Sequence, residues 1–231
     1  MVKSPLGRAL LGLAALTLIG LTALAIVSRQ GIIVTGDGRH VIATKGSSKV
    51  VPADTVLEAG LTTIAGNLSK DSYAVYFCCY GSTIAGPNAG FGHTYWVAQG
   101  FTPSVDATVT KLKASVGFVE GVNEIVLGLY ADSNGIPGTA LFTKRTKVGA
   151  LGNYGDCCVL ADVSYTAGVA ITAGTPYWVV VSTDKNSVTT FAAWAYNTTD
   201  MRQNVNLVAS YVDGTWTSGF GLQGGYAVLG N

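Results

Sequence analysis

The sequence predicts an all-β protein, an antiparallel β-sandwich of jelly-roll-like form, preceded by one N-terminal hydrophobic helix. Three observations carry that prediction. Charged residues make up 12% of the chain, about half the share of an average globular protein. Glycine supplies 30 of 231 residues, and Val, Thr and Tyr outweigh runs of helix-favouring Glu, Lys or Leu. Short apolar runs recur along the chain, punctuated by Gly, Pro, Asn and Asp.

The helix is expected at the N-terminus. Ala9 to Val27 holds nineteen residues without a charge, with Lys3 and Arg8 before it and Arg29 after it. At about 1.5 Å per residue it spans roughly 28 Å, close to the hydrocarbon thickness of a bilayer. That length suits an uncleaved membrane anchor through residues 9–27. Ala23-Leu24-Ala25 instead offers a signal-peptidase site. Both readings place the rest of the chain outside the cytoplasm, because the basic residues precede the apolar run. Residues 1–30 are therefore set apart as a signal peptide or anchor, 31–52 as a hairpin with a linker, and 53–231 as the sandwich.

The hairpin is read from Ile32-Ile33-Val34-Thr35, a Gly36-Asp37-Gly38 turn and His40-Val41-Ile42-Ala43. Lys45 to Pro52 has linker composition. Asp54 caps a predicted short helix to about Ala65, with Val56, Leu57, Leu61 and Ile64 on one side. Strands are then expected at Tyr73–Cys79, Tyr95–Phe101, Thr108–Phe118 and Ile125–Tyr130, and again at Val159–Tyr165, Tyr177–Val181, Phe191–Tyr196 and Tyr226–Leu229. Within Thr108–Phe118 a period of two puts Thr108, Thr110, Leu112, Ala114 and Val116 on one face, with Val109, Lys111 and Lys113 on the other. The stretch Asp132 to Gly138 reads as a turn between runs.

Four cysteines occur as adjacent pairs, Cys78-Cys79 and Cys157-Cys158. In an exported chain an even count points to disulfides. Bridges between the pairs are favoured, since neighbouring cysteines join only through a strained ring. One such bridge closes a loop of about 80 residues and stabilises by roughly 4–5 kcal/mol in the chain-entropy model. Setting aside Lys3 and Arg8 leaves 12 basic side chains against 13 acidic. That balance, without a basic cluster, argues against nucleic acid as a partner.

Three stretches resemble bacterial surface domains of the choice-of-anchor R type: Trp96-Val97-Ala98-Gln99-Gly100-Phe101-Thr102-Pro103, Leu129-Tyr130-Ala131-Asp132-Ser133-Asn134-Gly135-Ile136-Pro137-Gly138-Thr139, and Ile171-Thr172-Ala173-Gly174-Thr175-Pro176-Tyr177-Trp178-Val179-Val180-Val181. The similarity runs over about residues 73–229. It implies an exported β-sandwich with a cell-surface anchoring signal and no enzyme activity. Here the one candidate anchor is N-terminal.

Motifs for chemistry are few. Gly219-Phe220-Gly221-Leu222-Gln223-Gly224 fits G-x-G-x-x-G, but no βαβ unit surrounds it, so a turn is expected. The two histidines, His40 and His93, stand in regions of different character, and His93 reads as a turn residue. A glycoside hydrolase needs two facing carboxylates. The candidates Asp106, Glu120, Glu124, Asp132, Asp156 and Asp162 mostly fall in turns. Asp132 and Asn134 could give oxygens to calcium, although the full EF-hand loop is absent; no other cofactor is expected. Asn67-Leu68-Ser69 and Asn197-Thr198-Thr199 fit the glycosylation sequon. Tyr95-Trp96 and Tyr177-Trp178 are neighbours whose members point to opposite faces. Trp194, Tyr196 and Trp216 are the aromatics expected to stack on sugar rings. The expected function is a non-catalytic extracellular or cell-surface module binding polysaccharide. The alternatives are a structural subunit that self-associates through the hairpin, and a secreted glycoside hydrolase.

Overall fold

The computed structural model describes residues 31–43, 49–50, 58, 60–68, 75–156, 159–197 and 207–231; at 49–50 and 75–79 it describes the backbone alone. The apolar segment 9–27 and the cysteines Cys157 and Cys158 lie outside the described residues, and Cys78 and Cys79 are placed by backbone only. Among the described residues the protein is all-β, without a helix, and each ladder between its strands is antiparallel.

Chain order gives β1 (Ile32–Val34), β2 (His40–Ala43), β3 (Lys49–Val50), β4 (Thr62–Gly66), β5 (Val75–Ala85), β6 (Tyr95–Phe101), β7 (Ala107–Ala114) and β8 (Val116–Glu120). There follow β9 (Val126–Ser133), β10 (Ile136–Arg145), β11 (Ala161–Ile171), β12 (Tyr177–Ser182), β13 (Phe191–Asn197), β14 (Leu207–Val212), β15 (Thr215–Phe220) and β16 (Tyr226–Gly230). A four-stranded sheet runs β11-β7-β16-β4. The other twelve strands form a second sheet along the path β1-β2-β5-β6-β12-β9-β10, with β13, β8, β14, β15 and β3 branching from it.

The two sheets share one hydrophobic core. Leu112 and Val228 from the small sheet meet Ile84, Leu127, Val179 and Trp194 from the large one. Two further clusters lie beyond it. Ile32, Val34 and Val41 of the hairpin pack on Phe191, Ala227 and Leu229. Trp178, Val180, Ala98 and Ala209 form the third, where β15 comes back against β10 and curls the sheet round them. β12, β13 and β16 are consequently buried on both faces. That is why their sequences are continuous apolar runs rather than alternating ones.

Two tight turns create strands that the sequence reading left as connections. Asn134-Gly135 joins Ser133 to Ile136, and Asp213-Gly214 joins Val212 to Thr215. Asn134 (φ 56°) and Asp213 (φ 45°) take the left-handed conformation that a two-residue hairpin demands. The predicted turn 132–138 is thus only its middle two residues, and β10 starts at once.

Other expectations need correcting. The predicted helix 54–65 is overturned at its end: Thr62–Gly66 is β4, paired with β16, as its β-branched Thr62-Thr63-Ile64 favours. Residues 54–57 and 59 lie outside the described set. The predicted linker contains β3, whose Lys49 and Val50 pair with Tyr76 and Val75 where β2 no longer reaches β5. Thr108–Phe118 is two strands in different sheets, broken at Ser115. Its simple alternation also fails: a register shift between Val109 and Lys111 turns Val109 to the core beside Leu112 and Ala114.

At Ser115 three segments of the chain meet in a closed ring of backbone bonds. Ser115 N donates to Gly225 O (2.8 Å), Gly225 N to Ala195 O (3.0 Å) and Ala195 N to Ser115 O (2.9 Å). The Ser115 hydroxyl adds a bond to Ala195 O at 2.8 Å. Trp194 Nε1 donates to the same Gly225 carbonyl (3.0 Å). Gly224 must be glycine here, since a Cβ would collide with the Trp194 indole.

On the outer face of the small sheet, Glu58 pairs with Lys111 (2.5 Å) and Lys113 (3.0 Å), and Lys111 also reaches Asp162 (2.7 Å). Burial works to raise the Glu58 carboxyl, but hydrogen bonds from Lys111 and Lys113 outweigh it and hold the group below its ordinary value. A depressed carboxyl stabilises the fold fully above its unfolded pKa, and that contribution is lost as pH falls through the folded one. Glu58→Gln is therefore expected to lower stability by about 1–2 kcal/mol at pH 7. In denaturant titrations the gap to wild type should close below about pH 4, as the wild-type carboxyl protonates.

Candidate functional site

β5 and β6 share a single residue pair, Ala85 with Tyr95. Past it the strands separate. β2 takes the place beside β5, pairing His40 with Ser82, while β6 pairs with β12 and β14. A cleft of about 360 Å³ opens between them, within the range of small-ligand sites.

One wall carries a chain of polar side chains. Ser82 Oγ lies 2.8 Å from the Tyr196 hydroxyl, which lies 2.7 Å from His40 Nδ1. The Tyr80 ring closes on this group, 5.0 Å from Tyr196 edge to face and 5.6 Å from the His40 ring. Burial raises the Tyr196 phenol far above the usual tyrosine range, so it stays protonated. Burial also lowers His40 below its ordinary value, against an opposing pull from Asp37, so the imidazole is neutral at pH 7.

The mouth is formed by the hairpin tip and the start of β6. The Tyr95 hydroxyl donates to Asp37 O (3.4 Å). Gly38 beside it has φ +71°, and a Cβ there would stand 2.7 Å from the Tyr95 oxygen. Arg39 lines the mouth with Tyr95 and Trp96. Trp96 stacks on Tyr211 (4.1 Å, 9°), and Tyr211 meets Trp216 at 5.3 Å, giving an aromatic row across β6, β14 and β15. Trp96 also borders a second hollow of about 290 Å³, with Tyr130, Arg145 and Asp184.

The inner end is polar and unsatisfied. Thr83, which lines the cleft, is buried with its hydroxyl unpartnered. Gln99 is fully buried, and neither amide atom has a partner. It follows the cleft residue Val97 on the same face of β6, opposite the cleft residue Val208. Each such group costs about 1–3 kcal/mol when nothing bonds it.

The structure separates the three aromatics predicted to bind sugar. Trp194 is 0% exposed and belongs to the core, with no face to offer a ligand. Tyr196 is buried too, but it lines the cleft through the polar chain. Trp216 is partly exposed at the far end of the aromatic row. Of the candidate calcium residues, Asp132 uses one oxygen for Trp178 Nε1 (2.8 Å) and the other for Gly135 N (3.0 Å), while Asn134 forms the turn. Among the described residues no three His, Cys, Asp or Glu gather as a metal site would need.

The remaining candidates are dispersed. His93 pairs with Asp213 (2.5 Å) at the surface. Asp106 accepts from Ala173 N, Asp156 from Asn153, and Asp162 pairs with Lys111. Glu124 is buried 3.5 Å from Arg145. Among the described residues no carboxylate lines the cleft, and Asp184 is the one lining the second hollow. The sequon amides of Asn67 and Asn197 bond Gly224 O and Asn67 O. Sequence reasoning missed Arg39, Tyr80, Ser82 and Thr83, which no motif marks.

The chain gives no significant match to protein-family models, to curated proteins or to solved structures.

Tyr196→Phe keeps the ring but removes the hydroxyl shared by Ser82 and His40. It is expected to cost about 1–2 kcal/mol in denaturant unfolding. A loss below about 0.3 kcal/mol would mean that the chain contributes nothing to stability.

Proposed function

We propose that this protein is a non-catalytic glycan-binding module that works outside the cytoplasm, a disulfide-bonded β-sandwich of jelly-roll-like form. Residues 9–27 tether it or are removed on export. What carries the reading is the cleft between β5 and β6. It presents the rings of Tyr80, Tyr95, Trp96 and Tyr196 beside hydrogen-bonding groups on His40 and Ser82. Aromatic faces with a few convergent polar groups suit a sugar, whose ring is apolar on its faces and polar at its edge. The sandwich form is favoured by the core shared between the two sheets. Hydrolysis of a glycoside requires a facing carboxylate pair, and among the described residues neither hollow is lined by one, which favours the non-catalytic reading. The resemblance to choice-of-anchor surface domains points the same way. Inter-pair disulfides fit the docking of the chain before Cys157: the Tyr154 hydroxyl donates to Val41 O (3.1 Å), and Val41 pairs with Gly81, close after Cys78-Cys79 in β5.

Screening the full chain against immobilised polysaccharides, with and without calcium, tests this. A bound glycan should quench tryptophan fluorescence through Trp96, and Tyr95→Ala should weaken it about tenfold. Absence of any binding, or wild-type affinity in Tyr95→Ala, would sink the reading.

One observation favours the structural alternative. β1 ends the path of the large sheet, and its Ile33 (43% exposed) pairs with Ile42 (37% exposed) to leave an apolar patch at that edge. If a second copy pairs there, light scattering should show dimers at high concentration and monomers for Ile33→Lys. A wild-type monomer throughout would count against it.

A further inference from the structure

The ionisable side chains that line the cleft are unbalanced. Arg39 contributes positive charge and the neutral His40 only the capacity for it, and among the described residues no Asp or Glu lines the cleft. The nearest acid on the hairpin, Asp37, accepts from the Thr35 hydroxyl and from Arg39 N, which keeps one carboxylate oxygen within its own turn. Among the described residues no carboxylate lies within 4 Å of the Arg39 guanidinium. The neighbouring acid across the mouth, Asp213, is held by His93 and Thr94. The cleft thus has the exposed Arg39 guanidinium at its mouth, with Asp37 as the adjoining acid, an aromatic middle, and Thr83 in its lining with an unpartnered hydroxyl; the unpartnered amide of Gln99 is buried beyond that lining.

We propose that the cleft takes an acidic saccharide, with its carboxylate or sulfate at Arg39 and a hydroxyl toward Thr83. The inference rests on the glycan-binding reading and narrows it to a charge class. A guanidinium fork matches either acid group. A sugar hydroxyl both donates and accepts, so it pairs with the Thr83 hydroxyl in either sense. A purely apolar ligand would leave that atom as it stands, and a neutral sugar would leave the Arg39 charge unmatched. The acid lies at the open end, where it keeps part of its hydration, while the ring replaces water further in.

Calorimetry on the full chain tests this with three probes: an oligogalacturonate, its carboxyl-reduced neutral counterpart, and a sulfated oligosaccharide. At least one acidic probe should bind about tenfold or more tightly than the neutral one. Arg39→Gln, at an exposed position, should cut that preference to about threefold or less. Thr83→Val should weaken the bound probe about tenfold while leaving the melting temperature unchanged or higher, because the hydroxyl has no partner to lose. Which acidic probe wins identifies the acid group. Equal binding of acidic and neutral probes, or a preference that survives Arg39→Gln, overturns the charge assignment and leaves the glycan reading standing. A Thr83→Val protein that binds the probe as tightly as wild type overturns the role of the inner end. Failure of all three probes, alongside failure of the polysaccharide screen, removes both readings together.

Discussion

The fold depends on the ring of hydrogen bonds that joins Ser115, Ala195 and Gly225. Ser115 is where the chain leaves the small sheet and enters the large one; Ala195 belongs to the large sheet and Gly225 leads into β16 of the small one. Each of the three residues both donates and accepts, so no backbone group is left unpaired at a point where water is excluded. The Trp194 indole bonds the same Gly225 carbonyl and fills the core beneath it. A side chain at Gly224 would expel that ring, and with it the contact that sets the spacing of the sheets.

From that joint the layering follows. β13 and β16, which belong to different sheets, each turn one face toward the shared core and one toward the hairpin cluster. The hairpin is held by Ile32, Val34 and Val41, so the residues at its tip are placed by burial of its base. Since β2 occupies the flank of β5, β6 cannot continue along it, and the cleft is the space left where the two strands part. The site is in this sense a product of competition for one strand edge.

Much of the framework was legible because it obeys local rules. Continuous apolar runs at Tyr177–Val181, Phe191–Tyr196 and Tyr226–Leu229 are the strands buried on both faces. Asn134-Gly135 and Asp213-Gly214 were readable hairpin signals that went unused. What local rules could not reveal were events set by other parts of the chain. The switch of sheet at Ser115 is invisible in an apolar run, and the register shift near Thr110 reverses an alternation that looked regular. The candidate site was harder still. Trp194 and Tyr196 carry the same sequence signal, two residues apart on one strand, yet one is sealed in the core and the other joins a polar chain. The small sheet, which covers Trp194, and the hairpin, which brings His40 to Tyr196, decide between them.

The walls of the cleft come from residues 39–40, 80, 82–83, 95–97, 196, 208, 210 and 220–222. Nearly the whole chain must therefore close on itself before the cavity exists, and loops of that length form slowly. Ligand capture is accordingly a property of the finished protein, and occupancy of the cleft is a sensitive gauge of maturation. A chain arrested before its first thirteen described residues dock onto the last strands would hold a formed core and an absent site.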